Sequence, residues 1–265
     1  MHYHDSRYLT FTRQYKTGHT RKTMNRRLSL RTFFLCVLAL LFGGNLAAEP
    51  PADPAATGQM VDGLWLYTGL TTADGTEMPL TGIFLFKDGV FVQQSIFDGS
   101  PFEEQAAMAH AGPYTPEAGW LHLTAAQTIS TAPLQSPPLS FRSNTEHEVT
   151  VSRSGDDLTI IFGKGTSTVQ TLRRIGSSDG ALYSLGNGVL AFVDGYFILV
   201  AGDENGVVTG YGTFEKEAEA LTLKVIRWAE ADNSGATNLR DTVVRATFDG
   251  RSFALQDGRS FQVTP

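Results

Sequence analysis

Residues 82–91 read GIFLFKDGVF, and residues 188–197 read GVLAFVDGYF. Each stretch begins with glycine, continues with an apolar run and reaches Asp-Gly, with a phenylalanine two positions after the glycine. Asp-Gly between two apolar runs is a strong signal for a β-hairpin, because glycine adopts a positive φ without steric cost. The two copies start 106 residues apart (188 − 82), so the sequence predicts that the chain builds the same hairpin twice.

The similarity between the two halves continues beyond the hairpins. At an offset of 100, Gly112 aligns with Gly212 and Leu121 aligns with Leu221. Further along, VSRSGDDLTI (151–160) aligns with ATFDGRSFAL (246–255) at an offset of 95. The offset changes while the order of the segments stays the same, which indicates an internal duplication with insertions and deletions in the loops.

The pattern between the turns is typical of strands. Short runs rich in Val, Ile, Phe, Thr and Tyr alternate with turn signals such as Asp74-Gly75 and Gly155-Asp156. We count about eight such runs in each half, and eight antiparallel strands close into a small barrel that is either filled or holds one small ligand. We therefore predict an all-β fold of two tandem antiparallel eight-stranded barrels, over residues 60–176 and, as a shorter repeat, 177–265. One larger sandwich shared by both halves is the alternative.

The N-terminal segment has the layout of a secretory signal peptide. Basic residues precede an apolar run over residues 32–42, and small residues end the segment at Ala47-Ala48. The run is about a dozen residues long, whereas a bilayer span needs about 20. We predict that residues 1–48 are an N-terminal extension and a cleaved signal peptide, that residues 49–59 are a flexible Pro/Ala-rich linker, and that the protein is periplasmic or secreted.

Charge and cysteine content exclude several classes of function. Residues 1–48 hold eight of the 21 Lys/Arg and one of the 27 Asp/Glu, so the remaining chain has 13 basic and 26 acidic residues, a net charge of −13. Such a charge disfavours binding to nucleic acid or to anionic membranes. The single cysteine, Cys36, lies in the predicted leader, which leaves no cysteine for a disulfide or a metal site. We predict no metal and no cofactor, and no stable membrane span after the leader is removed.

Two features resemble a known family. Gly63-Leu64-Trp65 lies on the first predicted strand, and Arg173-Arg174 lies at the end of the last strand of the first repeat. In this the chain resembles the lipocalins and the lipocalin-like domains of exported bacterial proteins. The resemblance implies that Trp65 closes the base of the barrel and that Arg173 packs over it through a cation–π contact. The second repeat departs from this pattern, because Tyr183 stands near the tryptophan position and no arginine closes the barrel.

The candidate site is a polar and aromatic cluster in the first repeat, made of His110, Tyr114, Trp120 and His122. His110 and Tyr114 share one parity on their strand, and Trp120 and His122 share one on the next, so one pair could face the other inside the barrel. We predict that these four residues bind a small, largely apolar ligand in the first barrel.

Two other functions stay open at this point. The first is a periplasmic enzyme that uses His110 or His122 as the proton carrier for isomerisation, cyclisation or hydration. The second is a structural or assembly factor whose barrels are fully packed. Neither the ligand nor the oligomeric state is predicted by the sequence.

Overall fold

The computed structural model describes residues 53–163 and 167–264, so the predicted signal peptide lies outside the described residues. The first repeat begins with a helix, α1 (Pro54–Val61), and has a short 3₁₀ turn over Phe102–Glu104. Its strands are β1 (Gly63–Thr71), β2 (Glu77–Met78), β3 (Leu80–Lys87), β4 (Val90–Phe97), β5 (Ala107–Glu117), β6 (Trp120–Ala125), β7 (Gln127–Thr131), β8 (Leu139–Arg142), β9 (Thr145–Ser154), β10 (Asp157–Phe162) and β11 (Thr168–Gly176).

Eight of these strands form a closed antiparallel barrel in the order β1-β3-β4-β5-β6-β9-β10-β11, and β11 pairs back with β1. Strand β6 continues into β7, and β8 continues into β9, in one register, because Trp120 pairs with Thr150 and Thr131 pairs with Leu139. The long hairpin made in this way extends past the body of the barrel and stays paired with β5. The predicted closed barrel in the first repeat is confirmed.

The second repeat has the same order of strands. They are β12 (Gly180–Leu185), β13 (Gly188–Val193), β14 (Tyr196–Gly202), β15 (Gly206–Glu217), β16 (Ala220–Asp232), β17 (Ala236–Phe248), β18 (Ser252–Leu255) and β19 (Ser260–Gln262). Each strand pairs antiparallel with the next, and a bridge between Leu185 and Val263 brings the last strand to the first. The second barrel is thus nearly closed, and the predicted all-β fold of two tandem barrels is confirmed.

The two Asp-Gly hairpins join the second and third strands of their barrels. Asp88 and Gly89 both have positive φ, at 51° and 75°, and Asp194 and Gly195 repeat this at 48° and 78°. Two successive positive φ values define the two-residue turn whose twist matches that of the flanking strands. The turn chemistry that the sequence predicted therefore sets the register of β3 on β4 and of β13 on β14.

Strands β3, β4, β13 and β14 are buried on both faces. One face of each lines a barrel interior, with Phe84 and Phe91 in the first barrel. The opposite faces meet in a third apolar cluster that joins the barrels, in which Ile83 and Val92 belong to the same core as Ile198. Burial on both faces explains why these segments are apolar without alternation.

The predicted linker over residues 49–59 is in part wrong, because Pro54–Val61 is a helix. Asp53 is its N-cap, and the Asp53 carboxylate accepts a hydrogen bond of 2.7 Å from the backbone N–H of Ala56. Proline at the first helical position has the φ that a helix requires and removes a donor that the helix cannot satisfy. Composition alone suggested a flexible segment, whereas the cap and the burial of the helix against the barrel order it.

Helix α1 and two arginines close one end of the first barrel around Trp65. The Trp65 indole is fully buried and donates a 2.7 Å hydrogen bond to the backbone oxygen of Val61. The guanidinium carbons of Arg153 and Arg174 lie 5.3 and 5.7 Å from the centre of the Trp65 ring. These distances are within the range of cation–π contacts.

The prediction that Arg173 packs over Trp65 is wrong, because Arg174 makes this contact. Successive residues of a strand point to opposite faces, so Arg173 and Arg174 cannot both cover the barrel end. Arg173 points outward and forms an exposed ion pair with Asp157 at 3.1 Å. Arg174 reaches Trp65 and also donates hydrogen bonds to the backbone oxygens of Gly176 and Asp62.

We expect Arg174→Ala to lower the free energy of unfolding by about 1–3 kcal/mol, because it removes the cation–π contact and two hydrogen bonds at a half-buried position. Arg173→Ala is the matched control and should change that free energy by less than about 1 kcal/mol, because its ion pair is exposed. Urea denaturation of both variants tests the assignment. Equal losses would contradict it.

Candidate ligand-binding site

The interior of the first barrel holds a cavity of about 670 Å³. Its floor consists of Phe84, Phe91 and Leu123, on the side of the barrel that Trp65 closes. Its mouth lies at the opposite end and is lined by apolar side chains from five strands: Leu70, Met78, Phe97, Met108 and Phe162.

A ring of polar side chains lies between floor and mouth, and we call it the polar belt: Tyr67, Gln93, His110, His147 and Gln170. Four of its members line the cavity, and the fifth, Tyr67, donates a 3.0 Å hydrogen bond to the carboxamide oxygen of Gln170. They face inward because they alternate along their strands with residues of the outer faces. Gln93, for example, is 4% exposed and stands between Val92, which packs between the barrels, and Gln94.

Two polar atoms of the polar belt have no hydrogen-bond partner among the described residues. The Gln93 carboxamide oxygen and His147 Nε2 are both buried and unsatisfied. A buried polar atom without a partner costs about 1–3 kcal/mol. Unsatisfied atoms that border a cavity are the ones that a ligand can satisfy.

His110 and His147 meet inside the cavity. Their rings stack with centroids 5.6 Å apart, and the His147 and Phe162 rings form a T-shaped pair with centroids 5.5 Å apart. Burial, with a smaller contribution from the neighbouring His147, lowers the pKa of His110 from 6.5 to about 4. Burial also lowers the pKa of His147. Both imidazoles are therefore neutral at pH 7.

The structure separates the four residues that the sequence grouped as the candidate site. His110 lines the cavity, and Tyr114 faces the same interior lower down, where its ring packs edge-on against Phe86 at 5.3 Å. Trp120 is 37% exposed and does not border the cavity. His122 contributes to the cavity wall, yet it alternates with buried neighbours on β6 and pairs across the strands with Glu148. Whether any of the four binds a ligand stays a prediction.

The sequence did not single out Gln93, His147 or Gln170 as binding residues. Glutamine in an apolar strand carries no motif, and a histidine between two glutamates, as His147 is, has the pattern of an exposed segment. The signal that could have found them is the repeat itself. At the hairpin offset of 106, Gln93 aligns with Leu199, so a polar residue stands where the second copy is apolar.

The second barrel provides a matched comparison, because its strands pair in the same registers. His110 pairs with Thr128 on β7, and the equivalent pair in the second barrel, 100 residues later, is Gly210 with Trp228. The Trp228 indole is buried in the barrel core, and a Cβ atom at Gly210 would overlap it. An indole therefore fills the space that corresponds to the cavity.

The other residues of the polar belt also correspond to apolar residues in the second barrel. Strand pairing makes each of them equivalent to an apolar residue: Tyr67 to Leu185, Gln93 to Leu199, His147 to Val244 and Gln170 to Phe261. All of these counterparts belong to the core of the second barrel or pack against it. The first barrel thus has a polar interior that the second lacks.

A depression of about 580 Å³ lies at the end of the second barrel beyond this core. Two of its charged groups, Arg259 and Glu230, form an ion pair at 2.8 Å, and Arg259 also pairs with Asp257 at 2.5 Å. The Trp228 indole nitrogen also donates to Glu230, at 3.1 Å. This depression offers a ligand fewer unpaired groups than the cavity of the first barrel.

Two absences concern only the described part of the chain. Within residues 53–163 and 167–264 no group of three or more His, Cys, Asp and Glu side chains is placed to hold a metal ion. No helix in the same residues is long and apolar enough to cross a membrane.

Comparison with known proteins does not identify the chain. No protein-family model matches it, and no curated protein sequence matches it either. Its function is therefore inferred from the residues of the two barrels.

The low pKa of His110 links stability to pH. Between pH 6.5 and about 4 the unfolded chain binds a proton at His110 that the folded chain does not bind, so stability falls as the pH is lowered through this window. The loss attributable to His110 is at most about 3 kcal/mol. We expect His110→Gln to have a smaller decrease than wild type when urea denaturation at pH 7.5 and pH 4.5 is compared. An unchanged decrease would show that His110 is not held neutral in the fold.

Proposed function

We propose that this chain is an exported, lipocalin-like protein whose first barrel binds a small, largely apolar molecule. The observation that carries the proposal is the contrast between the barrels: the first keeps His110 and a cavity where the second has Gly210 and the Trp228 indole. Polar groups inside a barrel cost free energy unless they are hydrogen-bonded. Five polar side chains that the sister barrel replaces with apolar residues or glycine therefore favour a role in binding over a role in folding.

The dimensions of the cavity support the same function. Small-molecule sites occupy roughly 300–1,000 Å³ and combine mostly apolar walls with a few polar groups. The first barrel fits this description, with about 670 Å³ between the aromatic floor and the apolar mouth and with the polar belt between them.

The proposal includes export because the sequence predicts a signal peptide within residues 1–48. The absence of cysteine from residues 49–265 and their excess of acidic residues are compatible with a periplasmic or secreted protein. The same charge argues against nucleic acid as the partner.

An enzyme that uses the same cavity is the second candidate, and the stacked pair of His110 and His147 is the observation that favours it. Neutral imidazoles can accept a proton from a bound substrate. His122, the other histidine considered for this role, also contributes to the cavity wall and is the cross-strand neighbour of Glu148. A proton carrier at His110 predicts a reaction that His110→Gln abolishes while ligand binding survives.

We expect the first barrel to lose its binding site when it carries the residues that fill the interior of the second barrel. The double variant His110→Gly, Thr128→Trp places an indole where the cavity lies, by analogy with Gly210 and Trp228. Binding of an uncharged apolar dye such as N-phenyl-1-naphthylamine, or retention of a co-purified ligand in native mass spectrometry, should fall at least about tenfold, because the indole occupies the cavity.

The control variant is Thr150→Trp, which adds the same side chain to an exposed position of β9. It should bind as wild type does. Circular dichroism and thermal denaturation establish that each variant is folded. If the folded double variant binds as wild type does, the cavity is not the binding site.

A further inference from the structure

The hydrogen bonds within the polar belt determine which of its polar atoms remain without a partner. Tyr67 donates its single hydroxyl proton to Gln170. The hydrogen bond between Gln93 and Tyr67 must then come from the Gln93 amide nitrogen, since the hydroxyl has no second proton to give. The Gln93 oxygen is left as a buried acceptor without a partner among the described residues.

The charges that border the cavity are not suited to an anion. No lysine or arginine is among the described residues that line it, whereas Glu146 and Glu148 are. His110 and His147 are neutral at pH 7 because burial lowers the pKa of both. A carboxylate taken into the polar belt would lose its hydration without gaining a cation from the described residues that line the cavity.

From these two observations we infer that the ligand of the first barrel is an uncharged molecule whose polar end donates a hydrogen bond to the Gln93 oxygen, as an alcohol does. The inference rests on the proposed function and specifies its ligand class. Long-chain carboxylates are excluded from the polar belt on this inference, although their apolar chains would suit the walls.

The apolar part of such a ligand has two surfaces to contact. Phe84 and Phe91 lie below the polar belt, and Met78, Phe97 and Met108 lie above it at the mouth. The mouth is the open end, so a ligand whose hydroxyl reaches Gln93 leaves its chain among the methionines and Phe97. Methionine adapts its shape to irregular apolar groups, which suits a chain that is held at one end.

Three probes of equal chain length test the head group in the full-length exported protein. 1-Decanol donates and accepts a hydrogen bond, its methyl ether only accepts, and decanoate is charged at pH 7. Isothermal titration calorimetry at pH 7 should give a Kd for 1-decanol about tenfold lower than for the ether, because only the alcohol donates a hydrogen bond to the buried Gln93 oxygen. The Kd for decanoate should be higher than that for 1-decanol by at least the same factor.

Two adjacent glutamines give matched variants. Gln93→Leu introduces the residue that the second barrel has at Leu199, and it should remove the preference for 1-decanol over the ether. Gln94→Leu changes an equally buried glutamine of β4 that does not line the cavity, and it should keep the preference. The wild-type series decides the question by itself if either variant fails to fold.

The outcomes separate this inference from the proposed function. If all three probes bind with similar Kd, or if decanoate binds best, the head-group inference is wrong while the binding function stands. If none of the three binds, the function proposed for the first barrel is itself contradicted. A preference for 1-decanol that survives Gln93→Leu but not Gln94→Leu would also overturn the assignment of the acceptor.

Discussion

The arrangement of the whole molecule depends on hairpins that are buried on both faces. The β3–β4 and β13–β14 hairpins each line a barrel with one face and pack against the other barrel with the opposite face. A strand buried on both sides cannot slip by one residue, since every side chain would exchange one apolar environment for another of different shape. This constraint fixes the register of each barrel and joins the two barrels in one core.

The second barrel also positions part of the first barrel's mouth. The segment between β4 and β5, which carries the 3₁₀ turn, is held by an ion pair between Asp98 and Arg227 at 3.6 Å. Asn238 donates a 2.7 Å hydrogen bond to the Gln105 backbone oxygen, and the Arg240 guanidinium lies 4.4 Å from the centre of the Phe102 ring. These contacts come from β16 and β17, so the second barrel, whose core is filled, holds a segment of the first barrel beside the mouth of the cavity. Preorganised mouth residues lose less entropy when a ligand binds.

The sequence predicted the architecture because the relevant signals are local. Asp-Gly turns, alternating strands and the repeated order of the segments can be read without knowing which residues meet in space. Residue roles that depend on facing direction were harder to predict, as Arg173 and Arg174 illustrate: both satisfy the motif, and only strand parity in the folded barrel distinguishes them. His110 could be singled out as a polar residue in an apolar strand, whereas its partner His147 comes from a strand far along the chain. The N-cap at Asp53 was readable in principle, but the Pro/Ala-rich composition around it favoured a linker.

The residues that differ between the two repeats indicate the position of the functional site better than either repeat does alone. A duplicated fold that needs only stability is expected to keep both interiors apolar, as the second barrel does around Trp228. The first barrel keeps buried polar atoms of Gln93 and His147 that have no partner among the described residues and that destabilise the empty state. A ligand that supplies the missing partners binds only the folded barrel, so on the proposed function its binding free energy offsets this cost and stabilises the first barrel selectively. The second barrel needs no such compensation, because the indole that closes its interior is part of the chain.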